Sequence, residues 1–231
     1  MRLVLYFAPG ACSRVPLIAL EEIGELFETR LIRFKRGDHR SAEYLALNPS
    51  GKVPTLLVDA EALTQNVAIL TFLAKSFPRS ALLPFSGETL ADARLISQLS
   101  SFSSDLHPLV TRIRLPQFFC DVPGGPERVR ELAESAMRRQ LAPLEAHLAA
   151  QPWVLGTVWS LLDAYLYWVW FRITGAGFSR ENFPKIVHHA ERMESRPAVK
   201  RMLAREAQAE AELQAQGLAM NFDEMPPGPK A

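Results

Sequence analysis

Cys12 and Ser13 are adjacent residues whose side chains can take part in thiol and hydroxyl chemistry. They follow the turn Pro9-Gly10-Ala11 and precede an apolar pattern with helical spacing, which predicts a helix N-terminus at this point. Unpaired backbone N–H groups and the helix dipole favour an anion there, and such positions lower thiol pKa values in general. A thiolate at this place is the nucleophile that thiol chemistry requires. The alternative interpretation is a buried structural cysteine followed by a serine that caps the helix.

His188 and His189 form a second adjacent pair with chemical potential, in this case as metal ligands. Neighbouring residues on a helix point about 100° apart, and no acidic residue or cysteine is spaced to join them. The chain has two cysteines, Cys12 and Cys120, and no C-x-x-C pair. We therefore expect surface histidines, no metal site and no disulfide framework.

The composition is typical of a soluble globular protein. The 231 residues are enough for one large domain or two small ones, and 48% are hydrophobic against 22% charged. Lys and Arg number 26 and Asp and Glu 25, so the sequence lacks the basic excess typical of nucleic-acid binding. Collagen-like, disordered and disulfide-rich classes are excluded. We expect a cytoplasmic protein that binds neither nucleic acid nor membranes.

The stretch from Trp153 to Phe171 is almost continuously apolar and about long enough to span a bilayer. Asp163 lies at its middle, where a carboxylate costs roughly 2.5–3.5 kcal/mol on an insertion scale. Ser160 and Asp163 match a capping box, so we predict a loop followed by a buried helix. The aromatic residues of this helix are expected to form core rather than a ligand pocket, and they are Tyr165, Tyr167, Trp168, Trp170 and Phe171.

Residues 1–79 alternate between strand patterns and helix patterns. The first strand is apolar on both faces, as expected of an interior strand, and Gly24 closes the first helix. The first two strands and the helix between them are expected to form a right-handed crossover unit. The predicted strands are Leu3–Phe7, Phe27–Phe34, Thr55–Asp59 and Ala62–Leu63, and the predicted helices are Cys12–Ile23, Ser41–Leu47 and Gln65–Phe77.

A stretch with two prolines and two serines, Pro78–Gly87, separates these elements from a purely helical region. We therefore predict an α/β domain at residues 1–79, a linker at 80–87, an all-α domain at 88–210 and a tail at 211–231. Proline and glycine near the end of the tail cannot continue a helix. The helices of the second domain are expected at Leu90–Leu115, Glu127–Ala150, Ser160–Thr174, Phe183–Ser195 and Pro197–Gln208.

Four segments of the sequence have a distinctive pattern, namely Tyr6–Ser13, Asn48–Leu56, Leu63–Ile69 and Gly156–Asp163. In order and spacing they are similar to segments of cytosolic glutathione transferases, most of all the bacterial beta class. The resemblance implies a thioredoxin-like first domain that binds glutathione as co-substrate, followed by an all-helical bundle domain. It also implies a homodimeric detoxification enzyme that conjugates the glutathione thiolate to a small hydrophobic electrophile.

Within the first domain, the resemblance places Cys12 beside the glutathione sulfur and makes Ser13 a hydroxyl donor. Tyr6 is a competing donor, with a core tyrosine as the alternative. The Val53-Pro54 peptide is implied to be cis, so that the Val53 backbone pairs with the cysteinyl part of an extended peptide. The alternative is an ordinary trans proline at the start of a strand.

The resemblance assigns the two ends of glutathione to polar residues. Gln65 and Asn66 open the third predicted helix, where the family grips the γ-glutamyl group. Gln65 fits the family pattern, whereas Asn66 replaces a serine or threonine. An amide still donates to a carboxylate, and helix capping alone is the alternative. Lys35 and Lys52 neutralise the glycyl carboxylate in this scheme, unless they are simply solvated lysines.

Ser104, Asp105 and His107 of the second domain match a segment that faces the thiol site in the beta class. Ser104 and Asp105 are assigned to binding, and His107 is a hydrogen-bond partner or proton donor. The alternative for His107 is a histidine at a helix kink before Pro108. The candidate lining of an electrophile pocket is Leu115, Phe118 and Phe119.

Three hypotheses about activity are open at this point. The first is transfer of glutathione to an electrophile. The second is glutaredoxin-like thiol-disulfide exchange, in which Cys12 itself forms mixed disulfides with glutathione. The third is a non-catalytic ligand-binding protein on the same fold, an interpretation that Asn66 favours.

Overall fold

The computed structural model describes residues 1–220, and their contacts group them into two compact units. The first unit contains residues 1–96 and 194–220, and the second contains residues 97–193. The division into domains 1–79 and 88–210 with a linker at 80–87 stays a prediction, since it rests on local pattern alone. Residues 211–215, which the sequence assigns to the tail, are helical, and residues 221–231 lie outside the described part of the chain.

The first unit is built on a four-stranded sheet with the strand order β2-β1-β3-β4. β1 runs parallel to β2 and antiparallel to β3, and β3 runs antiparallel to β4. The predicted parallel pair of strands with a helix between them is therefore confirmed. The strands are β1 Leu3–Phe7, β2 Glu28–Leu31, β3 Thr55–Val58 and β4 Glu61–Thr64.

Three helices follow the strands of the first unit, at α1 Arg14–Ile23, α2 Ala42–Leu47 and α3 Asn66–Ser76. Gly24 ends α1 with a φ of 75°, a backbone conformation that favours glycine. The Ser41 side chain accepts a hydrogen bond from the backbone N–H of Tyr44 and so caps α2. α1 and α3 pack together through fully buried aliphatic side chains, which include Leu17, Ile18, Ile69, Leu70 and Leu73.

The predicted helix Leu90–Leu115 is interrupted in the structure. α4 spans Thr89–Ser101, a π-helical turn spans Phe102–Leu106, and α5 spans His107–Arg114. The cause is Pro108, which has no N–H to donate to the carbonyl four residues earlier and whose ring crowds that carbonyl. The wider π turn accommodates this lost bond and changes the direction in which the following side chains point.

The other helices of the second unit are α6 Gly125–Ala150, α7 Leu161–Thr174 and α8 Pro184–Ser195. α7 is buried along almost its whole length, so the prediction that its aromatic residues form core is confirmed for Tyr165, Tyr167, Trp168 and Trp170. Phe171 is the exception, with 38% of its surface exposed. No helix within residues 1–220 is long and apolar enough to cross a membrane.

Asp163 is the polar centre of the second unit and is completely buried. Its carboxylate accepts hydrogen bonds from the backbone N–H groups of Val154 at 2.8 Å and Ser160 at 2.9 Å, which confirms the capping box. His189 Nε2 lies 2.9 Å from the same carboxylate and donates to it, because a carboxylate only accepts. His188 is exposed as expected, but the predicted surface position of His189 is wrong, since only 1% of it is exposed.

Replacing Ser160 by alanine is expected to lower the free energy of unfolding by about 1 kcal/mol, because α7 loses its N-cap hydroxyl. The measurement is urea denaturation followed by tryptophan fluorescence. All four tryptophans lie between Trp153 and Trp170, so this signal reports on the second unit. Ser97→Ala, at an exposed position of α4, serves as the control and should cause no destabilisation.

α9, Pro197–Ala215, packs against α1 within the first unit. Arg14 Nε donates to Glu206 Oε2 at 3.1 Å, and the two side chains are 4% and 7% exposed. Glu21 of α1 is also buried, and it forms ion pairs with the more exposed side chains of Arg201 and Arg205. A buried ion pair therefore ties the last helix to the first turn of α1.

Candidate functional site

Cys12 lies in the turn that joins β1 to α1 and is partly buried. Its backbone carbonyl accepts a hydrogen bond from the N–H of Val15 at 3.2 Å, so it belongs to the first helical turn. Its Sγ donates to the carbonyl oxygen of Val53 at 3.3 Å. The thiol thus lies at the N-terminal end of α1 and in contact with the segment that precedes Pro54.

Ser13 is completely buried, and its hydroxyl is used inside the same turn. The Ser13 Oγ donates to the carbonyl of Ala8 at 3.2 Å and accepts from the N–H of Ala8 at 3.2 Å. Ser13 thereby helps to hold the β1–α1 turn together, and its role as a hydroxyl donor to sulfur stays a prediction. Ser13 occupies the N-cap position of α1, but its side chain makes no cap hydrogen bond.

The Val53-Pro54 peptide is cis, as the resemblance implies. A small polar network holds the segment from the other side, where Tyr44 Oη donates to the Lys52 carbonyl at 2.6 Å. Asn48 Nδ2 donates to the same carbonyl at 2.7 Å. Burial raises the pKa of Tyr44, so the phenol keeps the proton that it donates. The Val53 backbone is thereby fixed next to the Cys12 thiol.

Gln65 and Asn66 lie where β4 ends and α3 begins. Gln65 is exposed and has a φ of 69°, which is uncommon for a residue other than glycine and costs on the order of 1–3 kcal/mol. Asn66 is 6% exposed, and its Nδ2 donates to the backbone carbonyl of Cys12 at 3.2 Å. The strained residue presents its side chain to solvent, while its neighbour reaches inward to the thiol turn.

These contacts bring Cys12, Val53, Gln65 and Asn66 into one cluster on the first unit. The N-termini of α1 and α3 meet there, and both favour an anion. A thiolate at α1 and a carboxylate at α3 are the two anions that the cluster can hold. The Val53 backbone lies beside the Cys12 thiol, and backbone N–H and C=O groups are what an extended peptide pairs with.

The two predicted lysines have different surroundings. Lys35 lies in the 3₁₀ turn Phe34–Arg36, and its Nζ donates to the carbonyl oxygen of Gly217 at 3.0 Å. The ammonium group of Lys35 is therefore hydrogen-bonded to the chain just after the end of α9. Lys52 is exposed and immediately precedes Val53, so its role toward the glycyl carboxylate stays a prediction. Tyr6 packs against Tyr44 with ring centroids 5.4 Å apart.

Ser104, Asp105 and His107 lie in the second unit, so their roles toward the thiol stay predictions. Ser104 and Asp105 are exposed on the π turn, and the Ser104 hydroxyl donates to the Ser100 carbonyl at 2.9 Å. His107 Nδ1 lies 3.2 Å from the hydroxyl of Tyr165, a partner that helical spacing did not reveal. Phe118 and Phe119 are exposed and Leu115 is partly buried.

The described residues offer no place for a metal ion. Within residues 1–220, no group of three or more His, Cys, Asp or Glu side chains is arranged to hold one.

The sheet topology and the thiol cluster define a thioredoxin-like domain, and a helical domain follows it. Family models for the glutathione S-transferase N-terminal and C-terminal domains match residues 10–76 and 127–201. The glutathione S-transferase GstA of Escherichia coli O157:H7 is 31% identical over 209 residues, which are 87% of this chain and 98% of that protein. The chain belongs to the glutathione S-transferase family, which confirms the resemblance seen in the sequence.

Two further comparisons show the range of relatives. A maleylacetoacetate isomerase of Pseudomonas aeruginosa is 31% identical over 201 residues, covering 86% of this chain and 93% of that protein. A solved sphingomonad glutathione S-transferase in complex with glutathione has a TM-score of 0.77 and 32% identity, covering 88% of this chain and 98% of its own. The similarity to these family members thus extends over nearly their whole length. It supports a thioredoxin-like first domain followed by a helical domain.

Proposed function

We propose that this enzyme binds glutathione at the cluster around Cys12 and transfers its thiolate to a small hydrophobic electrophile. The observation that supports this best is the single hydrogen-bonded network that joins the Cys12 thiol, the Val53 backbone and the N-terminus of α3. The sphingomonad structure with bound glutathione has the same fold. Glutathione itself is an extended peptide with one thiol and two carboxylates, so it matches the groups that the cluster offers.

Each part of glutathione has a proposed partner. The Val53 backbone pairs with the cysteinyl part, Gln65 and Asn66 receive the γ-glutamyl group, and Lys52 faces the glycyl carboxylate. Lys35 takes that last role only if the contact with Gly217 opens. Cys12 and the α1 N-terminus stabilise the glutathione thiolate, and a pKa lowered by about two units corresponds to roughly 2.7 kcal/mol of preferential stabilisation. From the second unit, Ser104 and Asp105 are proposed binding residues, and His107 is a proposed hydrogen-bond partner or proton donor.

Thiol-disulfide exchange is the second candidate, because the Cys12 thiol is partly exposed within the cluster. Its thiolate would attack a sulfur of a glutathione mixed disulfide, forming a new disulfide and releasing the other thiolate. A glutathione thiolate would then attack the Cys12 mixed disulfide and regenerate Cys12. The name of the Pseudomonas relative adds isomerisation of maleylacetoacetate as an activity to assay.

The test is calorimetric titration of glutathione into the wild type and Cys12→Ala, followed by exchange and conjugation assays. We expect both proteins to bind glutathione with a Kd in the micromolar to millimolar range. Exchange should vanish in Cys12→Ala, whereas conjugation of a model aryl halide should persist. Cys120→Ala is the matched control, because it removes the other cysteine and should leave both activities unchanged. Binding by neither protein would leave only a fold that has lost its co-substrate.

The family resemblance further supports a homodimeric, cytoplasmic detoxification enzyme. Sedimentation equilibrium tests the dimer, and cell fractionation tests the location. Sensitivity of a deletion strain to electrophiles tests the biological role.

A further inference from the structure

The Asn66 side chain connects two helix N-termini that are far apart in sequence. It belongs to the first turn of α3, and its Nδ2 donates to the backbone carbonyl of Cys12 at 3.2 Å. Asn66 is 6% exposed, so water competes little for this bond. The bond therefore joins the thiol turn directly to the start of α3.

Cys12 is held at three points through its own atoms. Its Sγ donates to Val53 O at 3.3 Å, and its carbonyl accepts from the N–H of Val15 at 3.2 Å and from Asn66 Nδ2. A carbonyl oxygen has two lone pairs and can accept both bonds. Val15 belongs to the same helix and moves with Cys12. Asn66 is the side chain that anchors the Cys12 carbonyl to a different element.

The length of the asparagine side chain matters for this contact. Serine or threonine, which the family places here, ends in a hydroxyl one bond nearer the backbone than Nδ2. With the backbone unchanged, a hydroxyl at this position would fall short of the Cys12 carbonyl. The departure from the family pattern thus gives this position a side chain long enough to reach the thiol turn.

We propose that Asn66 is a positioning residue for Cys12, which holds the thiol at the α1 N-terminus through the Cys12 carbonyl. The importance of this role for catalysis rests on the proposed function. The experiment that tests the role does not, because it needs no glutathione. Loss of the bond frees the Cys12 peptide to rotate and moves the sulfur out of its fixed place in the helix field. The thiolate form then loses stabilisation.

The experiment measures the rate of Cys12 alkylation by iodoacetamide as a function of pH, without glutathione. Cys120→Ser is the background, so that Cys12 is the one remaining cysteine of the sequence. At neutral pH we expect Asn66→Ala to slow alkylation by about two- to tenfold, because this is the factor to which the net free energy of one hydrogen bond corresponds. The dependence of the alkylation rate on pH should move to higher pH. Asn66→Ser should resemble Asn66→Ala. Asn66→Asp should be slower still, since it adds a negative charge beside the thiolate.

Ile69→Val is the matched control, because it loosens the buried face of α3 without touching Cys12. It should keep the wild-type pH profile even if urea denaturation shows an equal loss of stability. A wild-type profile in Asn66→Ala, or an equal shift in Ile69→Val, would overturn the proposal. Failure to bind glutathione would instead remove the proposed function and leave the alkylation result standing.

Discussion

Replacing Asp163 by alanine is expected to prevent the second unit from folding stably. The carboxylate is completely buried and accepts from Val154 N, Ser160 N, Ser160 Oγ and His189 Nε2. Each buried donor that loses its partner costs about 1–3 kcal/mol, so the summed loss is on the order of 4 kcal/mol or more. Because typical domains have only about 5–15 kcal/mol of stability, this loss would remove a large part of the stability of the second unit.

Urea denaturation with tryptophan fluorescence measures this effect, since the tryptophans lie in the second unit. Asp163→Asn keeps one oxygen acceptor and should be destabilised by less than the alanine variant. Asp121→Ala removes an exposed aspartate of the same unit and should change stability by less than about 0.5 kcal/mol. If Asp163→Ala behaved like Asp121→Ala, the hydrogen bonds of Asp163 would have no net stabilising role.

A second large effect is expected for Glu206→Ala in the first unit. The variant leaves the Arg14 guanidinium buried, with 4% of its side chain exposed and its carboxylate partner removed. Breaking a buried ion pair from one side costs about 3–5 kcal/mol. The damage should extend to the thiol turn, since Arg14 is the first residue of α1 and follows Cys12 by two positions.

Far-UV circular dichroism during urea denaturation measures the loss in Glu206→Ala. Glu212→Ala is the matched control on the same helix, because its side chain is 44% exposed and pairs with Arg33 near the surface. It should cost less than about 1 kcal/mol. The double variant Arg14→Met, Glu206→Leu should recover most of the stability, because an apolar pair replaces a buried ion pair at little cost. If the double variant were as unstable as Glu206→Ala, the loss of stability would be due to packing and not to the unpaired charge.

The elements that the sequence predicts well are those whose signal is local. Leu3–Phe7 is a short apolar run before a Pro-Gly turn, and Gly24 ends the first helix at the residue where a left-handed conformation is needed. The capping box at Ser160 likewise involves residues three apart in sequence. In each case, the residues that determine the element are neighbours along the chain.

Errors occur where a distant residue or an unusual backbone decides. His189 follows Ile186 by three positions and precedes Met193 by four, which is the spacing of a buried helix face, but a histidine is not expected to be buried. Its partner Asp163 lies on another helix. α9 extends to Ala215 because Leu213 is buried at its end. Packing therefore extends this helix beyond Gln208, where the helix predicted from the apolar pattern ends.

The candidate site likewise contains features that a local motif identifies and features that depend on contacts between distant residues. Cys12 and the Val53-Pro54 peptide could be assigned by motif, whereas the direction of a hydroxyl could not. The motif identifies Ser13, but its hydrogen bond to the Ala8 carbonyl depends on the tight turn that brings the two residues together. The contact between Asn66 and Cys12 needs the three-dimensional meeting of two helices.

The pairing of α1 with α9 has a consequence for how the protein is made. Residues 194–220 complete the first unit, so the ribosome must synthesise the whole second unit before the first can close. At about 5–20 residues per second, the second unit can emerge and fold during the wait. A nascent chain that has reached only residue 96 carries Arg14 without Glu206, so its first helix has no buried counter-ion to pack against. The second unit can therefore complete its fold before the first, although its residues are translated later than residues 1–96.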